Sequence, residues 1–168
     1  MLQGIKELRE LYSLPYKVTT NPKLRDLQYR ICTSIYNTNV ILKRKKIKDS
    51  ALCELCKTKD QDVYHLFFNC EIISDFWLKV TNYFNLKMNS SFDLSRKDVI
   101  LGNPTFPKIL NFVILIGKLN IHLRHVKLGN SSLKGFVVLL RDKYNMEKII
   151  AKRKNKLKAF EKNFPFAP

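Results

Sequence analysis

The chain has 168 residues, 45% of them hydrophobic and only five glycine, a globular composition long enough to bury a core of its own rather than a disordered or low-complexity one. Thirty-one Lys plus Arg against fourteen Asp plus Glu give a formal net charge of +17, which favours a polyanionic partner such as nucleic acid. Residues 1–4 show no apolar core of a secretory signal, and the longest apolar run, residues 109–117, is broken by Asn111 and too short to span a bilayer, so no membrane partner is expected.

Four cysteines, three of them clustered and Cys32 without an obvious disulfide partner, point to a reducing compartment. The expected location is therefore intracellular, in cytoplasm and nucleus, and the Asn-x-Ser matches at Asn89 and Asn130 are discounted as glycosylation sites.

In chain order, Leu2, Ile5, Leu8, Leu11 and Tyr12 stand at helical spacing, which predicts a short amphipathic helix over residues 2–12. Pro15 should end it, leaving residues 15–20 as an extended connector. Asn21-Pro22 reads as a helix start. The asparagine side chain can accept from the unsatisfied first amides, and proline at the first helical position has no N–H to lose. That helix should run to about Asn37 on a stripe of Leu24, Leu27, Ile31 and Ile35, with Cys32 on its shoulder as a small core hydrophobe rather than a reactive thiol. Asn39 is expected to cap a second short helix through Val40, Ile41 and Leu42 that runs into Lys43, Arg44, Lys45 and Lys46. The basic run is either a solvated helix end, where cations suit the dipole, or a phosphate contact.

Cys53, Cys56, His65 and Cys70 then form the pattern C-x2-C-x8-H-x4-C within eighteen residues. A tetrahedral zinc ion takes four N or S donors, and a C-x2-C turn aims two thiolates at one point while a second pair closes the shell. Four ready donors leave no position for a water, so the zinc is expected to be structural, not catalytic. The bland alternative is a chance cluster of buried thiols beside a helix-surface histidine. His65 and Cys70 would lie about 140° apart on an unbroken helix, so a break or tightened turn is expected between them.

Ile72, Ile73, Phe76, Trp77, Val80 and Phe84 fit one face of a helix over about residues 70–84. Residues 85–91 read as a polar loop, and Ser95 with Asp98 as a capping-box-like start of a short helix ended by Gly102. Pro104 and Pro107 bracket the start of a long helix whose segment 109–123 is apolar over more than one face. Gly129-Asn130 should close it and Ser131 or Ser132 open the last helix, whose apolar positions from Leu133 to Phe164 keep helical spacing over some thirty residues. So short a turn between two long helices predicts an antiparallel hairpin. No run of alternating strands appears. The fold class is all-α: a helical bundle with a zinc-stapled turn and a long C-terminal antiparallel helical hairpin. Residues 1–168 are expected to form a single domain, with a zinc-stapled part at 21–84, a connecting loop with a short helix at 85–104 and the hairpin at 105–164.

Leu24-Arg25-Asp26-Leu27-Gln28-Tyr29-Arg30-Ile31, then Cys53, Cys56, His65-Leu66-Phe67, Cys70 and Trp77, resemble the C-terminal zinc-binding region that follows the reverse transcriptase domain in LINE-type non-LTR retrotransposon polyproteins. Asp98-Val99-Ile100-Leu101-Gly102, the apolar helix and Lys152-Arg153-Lys154-Asn155-Lys156-Leu157 extend the likeness from about residue 11 to the end of the sequence. The resemblance implies that the family's ligands fall one for one on Cys53, Cys56, His65 and Cys70. It also implies a non-specific, mainly RNA-binding module, with DNA as a further partner, that helps a polyprotein hold its transcript and support target-primed reverse transcription beside its upstream polymerase. Two departures stand out. Many relatives carry a proline near Asn37-Thr38, absent here, and the eight-residue gap before His65 differs from the four-residue gap of the retroviral zinc knuckle, whose way of gripping exposed bases is therefore not carried over.

The chain itself is not expected to be an enzyme. It has no Asp-Asp pair for polymerase metals, no Gly-rich phosphate loop and no nucleophile with a base and an orienting third group. His122 and His125 read as a partly exposed helix face beside Lys118, Arg124 and Lys127. From Arg141 to Lys162 there are nine basic residues against three acids, and Lys152, Arg153, Lys154 and Lys156 join Lys43, Arg44, Lys45 and Lys46 as nucleic-acid-binding candidates. Tyr16, Tyr29 and Tyr64 can stack on bases or serve in packing. The alternative function is a protein-interaction scaffold that docks on the polymerase or self-associates, with the charge serving solubility. Cys53, Cys56, His65 and Cys70 are expected to act as a clasp, pinning the helix that starts near residue 70 against the helix over 24–36.

Overall fold

The computed structural model describes residues 2–127 and 132–165, with side chains from Glu7 to Val126 and from Ser132 to Pro165. Its helices are α1 (Leu2–Val18), α2 (Pro22–Cys32), α3 (Asn39–Arg44), α4 (Glu71–Met88), α5 (Arg96–Leu101), α6 (Lys108–Lys127), α7 (Leu133–Arg153) and α8 (Leu157–Asn163), with a π-helical turn at His65–Asn69. Among the described residues there is no strand, only an isolated antiparallel bridge between Leu52 and Asp60, and the fold is all-α as expected. The chain divides into two compact units, Tyr29–Leu101 and Met1–Gln28 together with Gly102–Pro168.

In Tyr29–Leu101 the core is Ile31, Tyr36, Leu66, Phe67, Ile73, Phe76, Trp77, Val80, Phe84, Val99 and Ile100, all buried. Tyr36 meets Phe67 edge-on with ring centroids 5.1 Å apart, and the π turn packs on α4 and α5. Three expectations are corrected in this unit. Helix α2 stops at Cys32, not near Asn37, because Ser34 is left-handed (φ 57°) and the amides of Ile35 and Tyr36 both donate back to Arg30 O at 3.1 Å. This reversal leaves Ile35 exposed and turns Tyr36 inward. Thr38, not Asn39, caps α3, its Oγ1 accepting from Ile41 N, while the Asn39 side chain is buried and donates to Leu52 O at 2.7 Å. Helix α4 continues to Met88, so Asn85 lies within it and ties down the following loop through paired bonds with Phe92 (Nδ2 to O 2.9 Å, N to Oδ1 3.0 Å). The capping box forms as read: Asp98 N donates to Ser95 Oγ and Ser95 N to Asp98 Oδ2, at 3.2 and 3.0 Å.

In the other unit α6 packs on α1 and α7, and α7 on α8. Pro15 does not end α1. It sits inside the helix, and Thr19 N closes the last turn on Pro15 O at 3.0 Å. A proline within a helix costs about 3 kcal/mol, which burial of Leu14, Pro15 and Val18 against the unit's core offsets. Thr19 and Thr20, expected in an extended connector, are held by Glu147 of α7. The carboxylate accepts from Thr19 Oγ1, Thr20 N (2.8 Å) and Thr20 Oγ1 (2.7 Å). Asn21 Oδ1 accepts from Lys23 N at 2.9 Å at the predicted start of α2.

Helix α6 buries Ile109, Phe112, Val113, Ile114, Ile116 and Ile121, and the polar Asn111 is satisfied by exchanging bonds with the Asn103 backbone at 3.0 and 2.8 Å. By length and composition α6 is long and apolar enough to cross a membrane, unlike its shorter apolar run, but 61% of that span is buried in the fold. Lys118, read as part of an exposed face, is 1% exposed and its Nζ donates to Gln28 Oε1. His122, Arg124 and His125 are half-buried, and the side chain of Lys127 lies outside the described residues, as do Gly129, Asn130 and Ser131. Ser132 caps α7 through Gly135 N.

The last helix is not continuous. Asn155 adopts a left-handed conformation (φ 54°), Lys156 N donates to Ala151 O at 2.8 Å, and α8 turns away. The bend stacks Phe160 on Phe164 at 4.6 Å and sets Phe164 edge-on to Phe112 at 5.5 Å, so aromatic burial replaces the straight helix that the spacing suggested. Ile149, assigned to the apolar stripe from its spacing, is 53% exposed.

Candidate metal centre

The segment 51–61 doubles back on itself. Cys53 N donates to Lys59 O and Gln61 N to Ala51 O, both at 2.8 Å, around the Leu52–Asp60 bridge. Lys57, left-handed at φ 58°, donates its N–H to Cys53 O at 2.8 Å and reverses the chain just after Cys56. Two thiols three residues apart are thereby turned to one side, which is what a C-x2-C ligand pair needs.

The second ligand pair comes from the π turn. Asp62 Oδ1 accepts from His65 N at 2.6 Å and fixes its start, and Cys70 N donates to His65 O at 2.9 Å, a bond between residues five apart. The wider turn brings His65 and Cys70 onto the same side, which an α-helix would not. A break was expected there, and the structure makes it by widening the helix rather than tightening it. Cys70 is extended (φ −63°, ψ 131°) and starts α4.

The four donor atoms lie within 4.8 Å of one another. Cys53 Sγ is 4.0 Å from Cys70 Sγ, and Cys56 Sγ is 3.3 Å from His65 Nε2. Zn–S bonds of ~2.3 Å in a tetrahedron place two sulfurs about 3.8 Å apart, so these separations fit a single zinc ion. A disulfide requires ~2.0 Å between sulfurs, and all four cysteines are free thiols. Cys53, His65 and Cys70 are buried and Cys56 half-buried, so the residues present fit a closed structural zinc site.

Donors around the sulfurs were not found from the ligand pattern. Gln61, fully buried, places Nε2 3.7 Å from Cys53 Sγ, and its Oε1 accepts from Asn39 N at 3.3 Å, so it links the site to the start of α3. Thr58 Oγ1 donates to Cys56 Sγ at 3.1 Å. Such partners orient ligands and spread the charge of the thiolates. Asp62, three residues before His65, stood at N-cap spacing and was the one legible signal. Burial works against ionisation of Cys56, yet bonds from Thr58, His65 and Lys59 prevail and hold its thiol down to about 6. Burial pushes the Cys70 thiol up to about 12, with the neighbouring Cys53 adding to the rise. A bound cation would reverse that preference by stabilising the thiolate.

The basic candidates fall in both units. Lys43 and Arg44 end α3, Lys45 caps it, and Lys46 follows at φ 57°; all four are exposed. Lys152 and Arg153 end α7 in the other unit, with Lys154 and Lys156 on either side of the bend at Asn155, again exposed. Tyr16, Tyr29 and Tyr64 are not packed away: they are 66%, 55% and 46% exposed, with Arg25 over Tyr16 at 4.8 Å and Arg96 over Tyr64 at 5.4 Å.

No curated protein and no solved structure matches the chain. Residues 1–77 match a family model described as zinc-binding in reverse transcriptase, a match that ends at Trp77 while the resemblance read from the sequence extended beyond it. With Cys53, Cys56, His65 and Cys70 all inside the match and gathered around one point, the chain is similar over these residues to the zinc-binding region associated with reverse transcriptases.

Proposed function

We propose that the chain is a zinc-stabilised, non-catalytic nucleic-acid-binding module, mainly for RNA, that accompanies the reverse transcriptase domain of a retrotransposon polyprotein and helps it hold template and transcript during target-primed reverse transcription. The observation that carries this reading is the exposure of both basic clusters, Lys43 to Lys46 at the end of α3 and Lys152, Arg153, Lys154 and Lys156 at the α7–α8 bend, on a chain of net charge +17. Exposed, clustered cations release counterions when they meet phosphates, which gives affinity without sequence preference. Four free thiols fit action in a reducing compartment of the cell, cytoplasm and nucleus.

The test is a gel-shift titration of the zinc-loaded protein with single-stranded RNA, DNA and an RNA–DNA hybrid at several salt concentrations. Log affinity should fall linearly with log salt, by about 0.7 per phosphate neutralised on a single strand, with RNA bound at least as tightly as DNA. Affinity at low salt weaker than the ~10⁻⁴ M of non-specific binding would overturn the reading.

A second reading, an interaction scaffold, is favoured by Val138, Met146 and Ile149, more than half exposed along α7. It predicts self-association or capture of the polymerase domain in sedimentation, with no dependence on RNA.

A further inference from the structure

The unit formed by Met1–Gln28 and Gly102–Pro168 contains a groove that the zinc chemistry does not use. It has a volume of about 360 Å³ and lies between the C-terminal end of α1, the last turns of α7 and the face of α8. A second hollow of about 330 Å³ shares Thr20, Glu147 and Ile150 with it and continues to the start of α2. Together they form one track across the unit.

Its cations are Lys17, Lys108, Lys154 and Lys156 in the first hollow and Lys23 and Lys143 in the second. Five of these are exposed and Lys143 is half-buried. The residues come from α1, α2, α6, α7 and the α7–α8 bend, so only the folded unit gathers them, and Lys17, Lys23 and Lys108 lie outside the basic segments that the sequence singled out. The acid among the described lining residues is Glu147, and both its oxygens are occupied by Thr19 and Thr20. Ile150, Ala151 and Phe160 give the first hollow an apolar wall, beside which fields from the lysines are less screened than on an open surface. Tyr16 lines the same hollow, 66% exposed, with the Arg25 guanidinium over its ring.

We propose that this track takes the phosphodiester backbone of a single-stranded RNA, with a base stacking on Tyr16. The proposal rests on the nucleic-acid reading above and assigns it a site. Lysines beside an exposed aromatic ring suit a flexible single strand, whose unpaired bases can reach the ring, whereas a duplex keeps its bases from an aromatic platform. An acidic peptide would match the lysines but has no use for Tyr16.

The experiment measures fluorescence anisotropy of a labelled uridine dodecamer with the full zinc-loaded chain, between about 50 and 200 mM salt. The groove variant is Lys108→Gln/Lys154→Gln/Lys156→Gln. A control with the same charge change on exposed lysines that line neither hollow is Lys87→Gln/Lys97→Gln/Lys134→Gln. The groove variant should bind at least about tenfold more weakly, with a salt slope smaller by about 2, the amount for three lost phosphate contacts, while the control stays within about twofold of the parent. Tyr16→Ala should lower affinity about tenfold and leave the slope unchanged. Equal weakening of groove and control variants overturns the track while leaving the nucleic-acid reading intact. Displacement of the RNA by polyglutamate as readily as by unlabelled RNA overturns it in favour of an acidic peptide. An unaltered Tyr16→Ala overturns the stacking. Absence of salt-sensitive binding by the parent protein overturns the general reading and the track with it.

Discussion

Trp77 and Phe67 are joined by a single hydrogen bond, the buried indole Nε1 donating to the Phe67 carbonyl at 2.8 Å. Phe67 sits midway through the π turn, between the ligands His65 and Cys70, so the bond holds that turn to the second turn of α4. Trp77→Phe keeps most of the packing and removes the donor, leaving a buried carbonyl unsatisfied at a cost of about 1–3 kcal/mol. A lower melting temperature together with weaker zinc retention against a chromophoric chelator is the expected result. Parental behaviour in both assays would reduce the indole to a packing group.

Removing zinc should destabilise Tyr29–Leu101 selectively. Metal binding of order 10 kcal/mol or more can be folding free energy at such sites, and in this unit two buried thiols, a buried imidazole and a half-buried thiol converge. Chelation, or Cys53→Ala, should abolish the single equivalent of metal in elemental analysis and lower amide protection across residues 45–80. Helices α6 and α7 have a core of their own and should keep their helical signal. Unchanged melting with no bound metal would refute the role given to zinc.

The pH response of the metal-free protein follows from opposite shifts at two ligands. Cys56, lowered from 9.0 to about 6, is ionised in the folded form while the unfolded thiol still carries its proton. Its contribution is fully present above 9.0 and is lost as pH falls through about 6, so stability should rise between those values. Cys70, raised from 9.0 to about 12, contributes fully below 9.0 and loses that contribution as pH climbs toward 12. The urea midpoint of the metal-free protein should therefore pass through a maximum near the ordinary thiol range. A midpoint that declines steadily from the acid side would contradict the assignment.

Glu147→Ala should destabilise the other unit by about 2–4 kcal/mol, because the buried Thr19 hydroxyl and the Thr20 amide both lose their acceptor. Glu147→Gln keeps an acceptor oxygen without the charge and should fall between. Denaturant titration followed by circular dichroism ranks the three proteins, and equal midpoints would show that the two threonines find other partners.

Gly102 marks a position where no other residue fits without strain. Its φ is +81°, and an added Cβ would lie 2.7 Å from Leu14 Cδ2 and 3.3 Å from Asn111 Oδ1. Gly102→Ala should cost at least about 1–2 kcal/mol from the backbone alone. In a double-mutant cycle with Leu14→Ala, the steric part should appear as coupling and the backbone part should remain.

What could be read from the sequence was whatever depended on local chemistry. Asn21-Pro22, Ser95 with Asp98, Gly102 and Ser132 acted as their residue types require, and the ligand spacing led directly to a real cluster. What failed depended on partners distant in sequence. Pro15 stays helical because Leu14, Pro15 and Val18 bury the last turns of α1 and its end is held by Glu147, 128 residues beyond Thr19. Lys118, next to the His122 and His125 face read as partly exposed, is itself buried because Gln28, ninety residues earlier, accepts from it. The π turn was legible only as a misfit, since the angular mismatch between His65 and Cys70 showed that a regular helix was wrong without showing which departure would replace it. Periodicity carried the last helix straight through residue 155 because a left-handed asparagine does not alter the spacing of the apolar positions.

That bend at Asn155 makes one joint serve two purposes. Straightening it would swing Phe160 and Phe164 out of their aromatic cluster and at the same time shift Lys156 away from Lys154, Lys17 and Lys108. The unit's cohesion and the arrangement of its charges are therefore set by the same backbone angle, so a substitution that relaxes the angle degrades both together, even with every lysine still in place.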